Sequence, residues 1–183
     1  MTNNILSHQD FATYKNIGNN YDISKVEQCI EGGLIDLKKT LGNGFYLDLQ
    51  KNANEAEYND LIEGAEYEDK NGYLIQHEGV KSLLADYTYS RYLYEINNSV
   101  TPFGMVQKQY QDGEAVDRNM IKDLVSQNNQ DAAQKWQMIE GYLNQNVKTF
   151  TVWARQNESH INNDNNSFNN VKFTFLPSSN KRL

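Results

Sequence analysis

The chain has 183 residues, 17 basic against 24 acidic side chains and a net charge of -7, with 38% hydrophobic and 11% aromatic content. That length holds one well-packed domain but not two ordinary ones with a linker. The acidic balance argues against phosphate-driven nucleic-acid binding by the surface as a whole, though not against a local basic patch.

A single cysteine, Cys29, excludes an internal disulfide and cannot build a thiolate metal site alone. It sits in an apolar helical pattern and reads as a small buried hydrophobe. No stretch approaches the length of a membrane span, and MTNNILSHQD lacks the basic and apolar regions of a signal peptide. A protein kept in a reducing cytoplasm, or in something assembled there, is expected.

In chain order, Ser7 followed by Asp10 predicts a helix start and a short helix through about Tyr14, with Ile5 and Phe11 as anchors. A turn is expected at Gly18-Asn19-Asn20. Asp22 or Ser24 then caps a longer helix whose stripe is Val26, Ile30, Leu34, Leu37 and Leu41, closed by Gly42. Gly32-Gly33 costs this helix about 1 kcal/mol per residue relative to alanine, which points to a close crossing with a neighbouring helix or to a bend.

Gly44 to Asn52 reads as a helix containing Phe45 and Leu49. Another short helix carries Tyr58, Leu61 and Ile62 and ends at Gly64. Tyr67 to Ile75 holds an Asp-Lys-Asn-Gly turn, read as a small hairpin or an irregular loop.

The stretch GVKSLLADYTYSRYLYEINNSVTPFGMVQK, Gly79 to Lys108, is the most informative. Val80, Leu83, Leu84, Tyr87 and Arg91 form one helical stripe, while Tyr89, Tyr92 and Tyr94 occupy the remaining faces. Aromatics all round imply a helix covered on two or more sides, and a second protein chain is the cover expected in a small protein. Tyr87 is assigned inward with Leu83 and Leu84. Tyr89 and Tyr92 are assigned outward, to a neighbour. The helix should break at Asn97-Asn98 and give way to an extended segment with Pro102, Phe103 and Met105.

After a turn at Gln111-Asp112-Gly113, Asp117 is expected to cap a long helix to about Asn146. Its stripe is Met120, Ile121, Leu124, Val125, Ala132, Trp136, Ile139 and Leu143. From Gln156 to Asn170 asparagine dominates and no period survives, the composition of a flexible linker or loop. Val171 to Pro177 alternates like a strand, with Phe173, Phe175, Leu176 and Pro177 available to dock on a partner. The organisation is a helical region over 1–155, a polar linker or loop over 156–170 and an extended tail over 171–183. The fold class is mainly α: a small helical bundle with short extended β segments and an extended carboxyl-terminal tail.

Motifs for catalysis are missing from the sequence. It has no phosphate loop, no HExxH and no paired-cysteine spacing. His8, His77 and His160 lie far apart, near predicted turns, and read as solvent-exposed or locally bonded rather than as ligands. Glu55/Glu57 and Glu66/Glu68 read as solvated charges. No catalytic residue, metal site or cofactor is expected. Lys38-Lys39 and Lys181-Arg182 are the basic pairs, too few for a nucleic-acid groove.

The opening ILSHQDFATYKNIGNN, the long helix running into LGNGFYLDLQ, and the Leu41, Gly42, Phe45, Tyr46, Leu49 step resemble the head-tail connector proteins of tailed bacteriophages. The stretch GVKSLLADYTYSRYLYEINNSVTPFGMVQK is similar to one in such proteins from crAss-like and other phages of Bacteroidetes hosts, and Tyr142-Leu143 closes the resemblance, which spans roughly residues 5 to 155. It implies a non-catalytic virion protein at the neck, assembled in the host cytoplasm: a ring subunit of about twelve copies under the portal. The implied partners are copies of itself, the portal protein and an adjacent neck or tail ring, with DNA passing through without specific binding and no membrane. A non-virion cytoplasmic interaction module or regulator, or another neck or tail-completion protein, is the alternative.

Overall fold

The computed structural model describes residues 5–18, 20–101, 104–107 and 118–157, of which 97–101 and 104–107 enter through their backbone only. The described chain is mainly helical, with two small two-stranded hairpins.

Helix α1 (His8–Tyr14) begins at Ser7, whose hydroxyl accepts from the Asp10 N–H while the Asp10 carboxylate accepts from the Ser7 N–H. This reciprocal box satisfies amide groups that a helix start otherwise leaves bare. Asp22 does the same for α2 (Ile23–Leu41) by accepting from the Ser24 and Lys25 amides. Helix α3 (Asn43–Asn52) follows directly on Gly42, and α4 (Ala56–Glu63) stops at Gly64. Strands β1 (Ala65–Glu68) and β2 (Leu74–His77) pair antiparallel, with Ala65 opposite His77 and Glu68 opposite Leu74. Between the two readings left open by the sequence, the hairpin is the one present.

Helix α5 (Gly79–Asn97) runs straight into β3 (Asn98–Thr101), which pairs antiparallel with β4 (Gly104–Gln107). The described parts of the expected extended segment pair with one another, Thr101 opposite Gly104. The long helix α6 (Arg118–Gln145) returns along α5. A final short helix, α7 (Thr151–Gln156), carries the bundle to Gln156, which donates to the Leu41 carbonyl and accepts from the Phe45 N–H.

Helix α5 is the centre. It packs against α2, α6, α4 and α1, and Val80, Leu83, Leu84, Ala85, Tyr92 and Leu93 are all buried on its various faces. The aromatics around α5 are therefore covered largely by the chain's own helices. Tyr92 is corrected accordingly: it is 8% exposed and meets Phe11 of α1 edge-on at 5.8 Å, which leaves it turned inward. Tyr89 is half-buried, 6.5 Å from the Phe11 ring, and Tyr87 packs inward with its hydroxyl 3.0 Å from Thr40 Oγ1.

Helices α2 and α5 cross where the sequence placed two glycines. A Cβ on Gly33 would stand 2.7 Å from Thr88 Oγ1 and 3.2 Å from the Thr88 backbone nitrogen. On Gly32 it would meet the Arg91 side chain at 2.8 Å. Along α6 the expected stripe holds at Ile121, Val125, Ala132, Ile139 and Leu143, but Met120 is 56% exposed and Leu124 is exposed as well. They lie toward the carboxyl-terminal end of α5, where a small satellite cluster of Leu93, Ile121 and Val125 forms.

The two glycines should respond differently to alanine. Gly33→Ala is expected to lose about 1–3 kcal/mol, since overpacking against a backbone atom outweighs the gain in helix propensity. Gly32→Ala displaces only a flexible side chain and should lie within about 1 kcal/mol of wild type. Urea unfolding of both variants measures this, and equal effects would contradict a contact specific to Gly33.

Candidate functional site

A lone aspartate in the apolar run Leu83-Leu84-Ala85-Asp86 carries the most concentrated chemistry of the described chain. Asp86 faces the gap between α5, α6 and the segment after α1, and it is 0% exposed. An unpaired carboxylate cannot stay ionised in such a place, so partners must come to it.

Two lysines do. Lys15, just past the end of α1, hydrogen-bonds Asp86 Oδ1, and Lys135 of α6 sits 2.9 Å from Oδ2. Lys15 also donates to Asn128 Oδ1 at 2.9 Å. The buried Asn128 amide in turn donates to the Asp86 carbonyl at 2.7 Å and to Ser90 Oγ at 2.9 Å. Lys135 reaches Glu78 at 2.9 Å and donates to Ser82 Oγ at 2.7 Å, while Ser82 donates to Glu78 at 2.8 Å.

Burial alone would push the Lys135 ammonium down, but its interactions with Glu78 and Asp86 hold it above its usual value. The hydrogen bond from Lys135 draws Glu78 below its usual value, against a smaller opposing effect of burial. Lys135 meets Asp86 Oδ2 as an ion pair without a hydrogen bond to that oxygen, and the network acts as a brace joining α1, α5 and α6.

A second assembly is aromatic. Trp136, Trp153, Phe45, Phe150, Tyr58, Tyr142, His77 and Tyr67 form a continuous series of ring contacts with centroids 4.5–6.1 Å apart. Phe150 and Trp153, which the sequence reading did not place, are its centre. Tyr58 donates to Asp48 at 2.5 Å, and burial together with that carboxylate pushes its phenol up to about 12.

His77 departs from expectation. It is 1% exposed at the end of β2, and neither ring nitrogen has a hydrogen-bond partner. Its alternation along β2 points it under the hairpin, onto α6, which a turn-based assignment overlooks. His8 is locally bonded as expected, with Nδ1 3.1 Å from the Tyr21 hydroxyl, and His160 lies outside the described residues.

Cys29 is buried, and that burial raises its thiol pKa. Beside it lies a shallow cleft lined by Gln28, Arg91, Tyr94 and Glu95. Among the described residues no group of histidine, cysteine or acidic side chains could hold a metal ion, and no helix is long and apolar enough to cross a membrane.

Of the residues singled out for a subunit interface, Tyr89 and Tyr92 belong to the inner packing just described, and Lys15 Nζ lies 5.1 Å from the Tyr89 ring centroid. Met105 is in β4, described by backbone alone. Pro102, Phe103 and the tail residues Phe173, Phe175, Leu176 and Pro177 lie outside the described residues. Among the described residues, the apolar side chains most open to solvent are instead Tyr73 (70% exposed) and Leu74 (67%) at the β1–β2 turn, with Ile35, Leu47 and Met120.

Fold and site together define a mainly helical protein braced by an internal charge network. Residues 37–163, more than half of the chain, match the model of a family described as a family of unknown function (DUF6712), and the chain belongs to that family. No curated protein and no solved structure matches it.

Removing the Asp86 carboxylate strands two lysines whose side chains are 18% and 21% exposed. Asp86→Ala is therefore expected to cost about 3 kcal/mol. Replacing the triad together by leucine and two methionines should recover most of that loss. Chemical denaturation tests both, and a loss below about 0.5 kcal/mol for Asp86→Ala would refute the bracing role.

Proposed function

We propose that this chain is a structural subunit of the neck of a tailed bacteriophage, one of about twelve copies in a head-tail connector ring beneath the portal protein. The main support is the resemblance over residues 5 to 155. The observation on the molecule that carries it is the placement of its solvent-open apolar side chains. Tyr73 and Leu74 cap a projecting hairpin, and Met120 and Leu124 lie toward the β3–β4 end of α5 and α6. Exposed apolar groups at projecting positions favour contacts with further chains.

A non-catalytic role is supported by the internal charges, which are paired with one another in the brace rather than aimed into a cleft. Net charge of -7 suits a channel wall along which DNA passes without being held. In this role Phe173, Phe175, Leu176 and Pro177 would dock on the portal or on the adjacent ring by strand addition.

Purified chain mixed with the portal of the same phage should give a ring of about twelve copies by mass photometry or electron microscopy. A monomer at micromolar concentration, with and without portal, would overturn the proposal. A chain ending at Asn157 keeps every described helix and should retain a helical far-ultraviolet circular dichroism spectrum while losing portal binding. Undiminished binding would remove the tail from the docking role.

A further inference from the structure

We propose that His77 is an acid-sensitive latch that holds the β1–β2 hairpin against α6. The inference does not depend on the connector role. It starts from the groups that fasten this hairpin. At its base, Gly64 and Gly79 let two chain segments cross: a Cβ on Gly64 would stand 2.6 Å from the His77 carbonyl oxygen, and one on Gly79 2.3 Å from the Ile62 carbonyl oxygen. Both glycines have positive φ, 105° and 81°, so the crossing is built into the backbone.

Beyond the base, side chains on one face of the hairpin fasten it to α6. The Tyr67 hydroxyl donates to the Met138 carbonyl at 3.1 Å, over a position kept open by Gly141, and its ring meets Tyr142 at 5.5 Å. The His77 ring lies 4.5 Å from Tyr142 and 6.1 Å from Tyr67. The four-residue strands carry no further apolar cover at the tip, where Tyr73 and Leu74 stand in solvent.

This position disfavours a protonated imidazole. Both ring nitrogens are without partners, so a second proton would place a full charge among aromatic rings with no acceptor for either N–H. The titratable groups around the ring are Tyr67 of β1, Tyr142 of α6 and Asp60 of α4. The next residue, Glu78, is engaged by Lys135 and Ser82. Burial depresses the His77 pKa below 6.5, and the opposing pull of Asp60 does not restore it. Opened, the hairpin returns the ring to water, where it protonates near 6.5. The sign follows: above that pH the closed hairpin is fully favoured. As pH falls from about 6.5 toward the depressed value in the closed state, opening gains up to about tenfold per pH unit, one proton being taken up.

Hydrogen-exchange protection factors of the hairpin amides, Ala65–Glu68 and Leu74–His77, between pH 7.5 and 5 read this directly, in a window above the ordinary carboxylate range. In the wild-type chain they should fall by up to about tenfold per pH unit below 6.5, while amides in the middle of α2 and α5 stay level. His77→Phe keeps an aromatic ring without the titration and should flatten the hairpin profile. A wild-type profile flat to pH 5, or an equal fall in His77→Phe, would overturn the latch. Should that variant fail to fold, the imidazole carbon resonances of wild-type His77 decide: titration well below 6.5 supports the latch, and titration at 6.5 with the hairpin still protected removes it.

Discussion

Placing an ionised aspartate in the middle of a fully covered helix is the constraint from which the arrangement of α1, α5 and α6 follows. Asp86 cannot be desolvated alone, so its two oxygens must each receive a cation, and the cations must come from different directions. Lys15 arrives from the exit of α1, and Lys135 from the middle of α6 with Glu78 and Ser82 as further partners. Asn128, two turns earlier on α6, ties the Asp86 carbonyl and Ser90. A slip of α6 by one turn along α5 would separate Lys135 from Asp86 and Asn128 from Ser90 together. Such a network contributes registry as much as stability, because apolar contacts alone tolerate sliding.

The opposite side of α5 is held by closeness rather than charge. Gly33 lets Thr88 and Leu84 approach the α2 backbone, and Thr40 and Asp36 meet Tyr87 and Arg91 on either side of that approach. The lower part of the bundle is filled by rings from α3, α4, α6 and α7, which bury large area with few rotatable bonds. Three means of fixing a helix, ion pairing, backbone proximity and aromatic packing, therefore act on different parts of one small core.

How legible this was depends on the range over which each feature is determined. The caps at Ser7 and Asp22, the stops at Gly42 and Gly64, the α2 stripe and the α2–α5 crossing at Gly32-Gly33 are set within a few residues, and the sequence shows them. The mainly helical class follows from the same signals. Tyr92 was misassigned because periodicity ranks the faces of α5 only relative to one another, and α1 covers a face that one stripe leaves open. Met120 and Leu124 fit the α6 stripe locally but lie where too little chain surrounds them to exclude water. Helix α7 is six residues long, too short for a period, although Phe150 and Trp153 three apart are a usable signal. The Asp86 brace was visible only as one acid inside an apolar run, with its lysines 71 and 49 residues away in sequence.

The two ends of the bundle differ in how firmly they are held, and this bears on what each can do in an assembly. The part around Asp86, Gly33 and Phe150 is one block held by charge, proximity and ring packing. The β1–β2 hairpin is attached to that block by Tyr67, His77 and a glycine crossing, yet it presents the most exposed apolar pair on the described molecule. An apolar knob at the tip of an arm held through one face can meet a neighbouring surface while the core contacts stay in place. In the ring proposed above, this would place adaptability in the hairpin and registry in the core, so that adjacent copies would meet without any one of them repacking its interior.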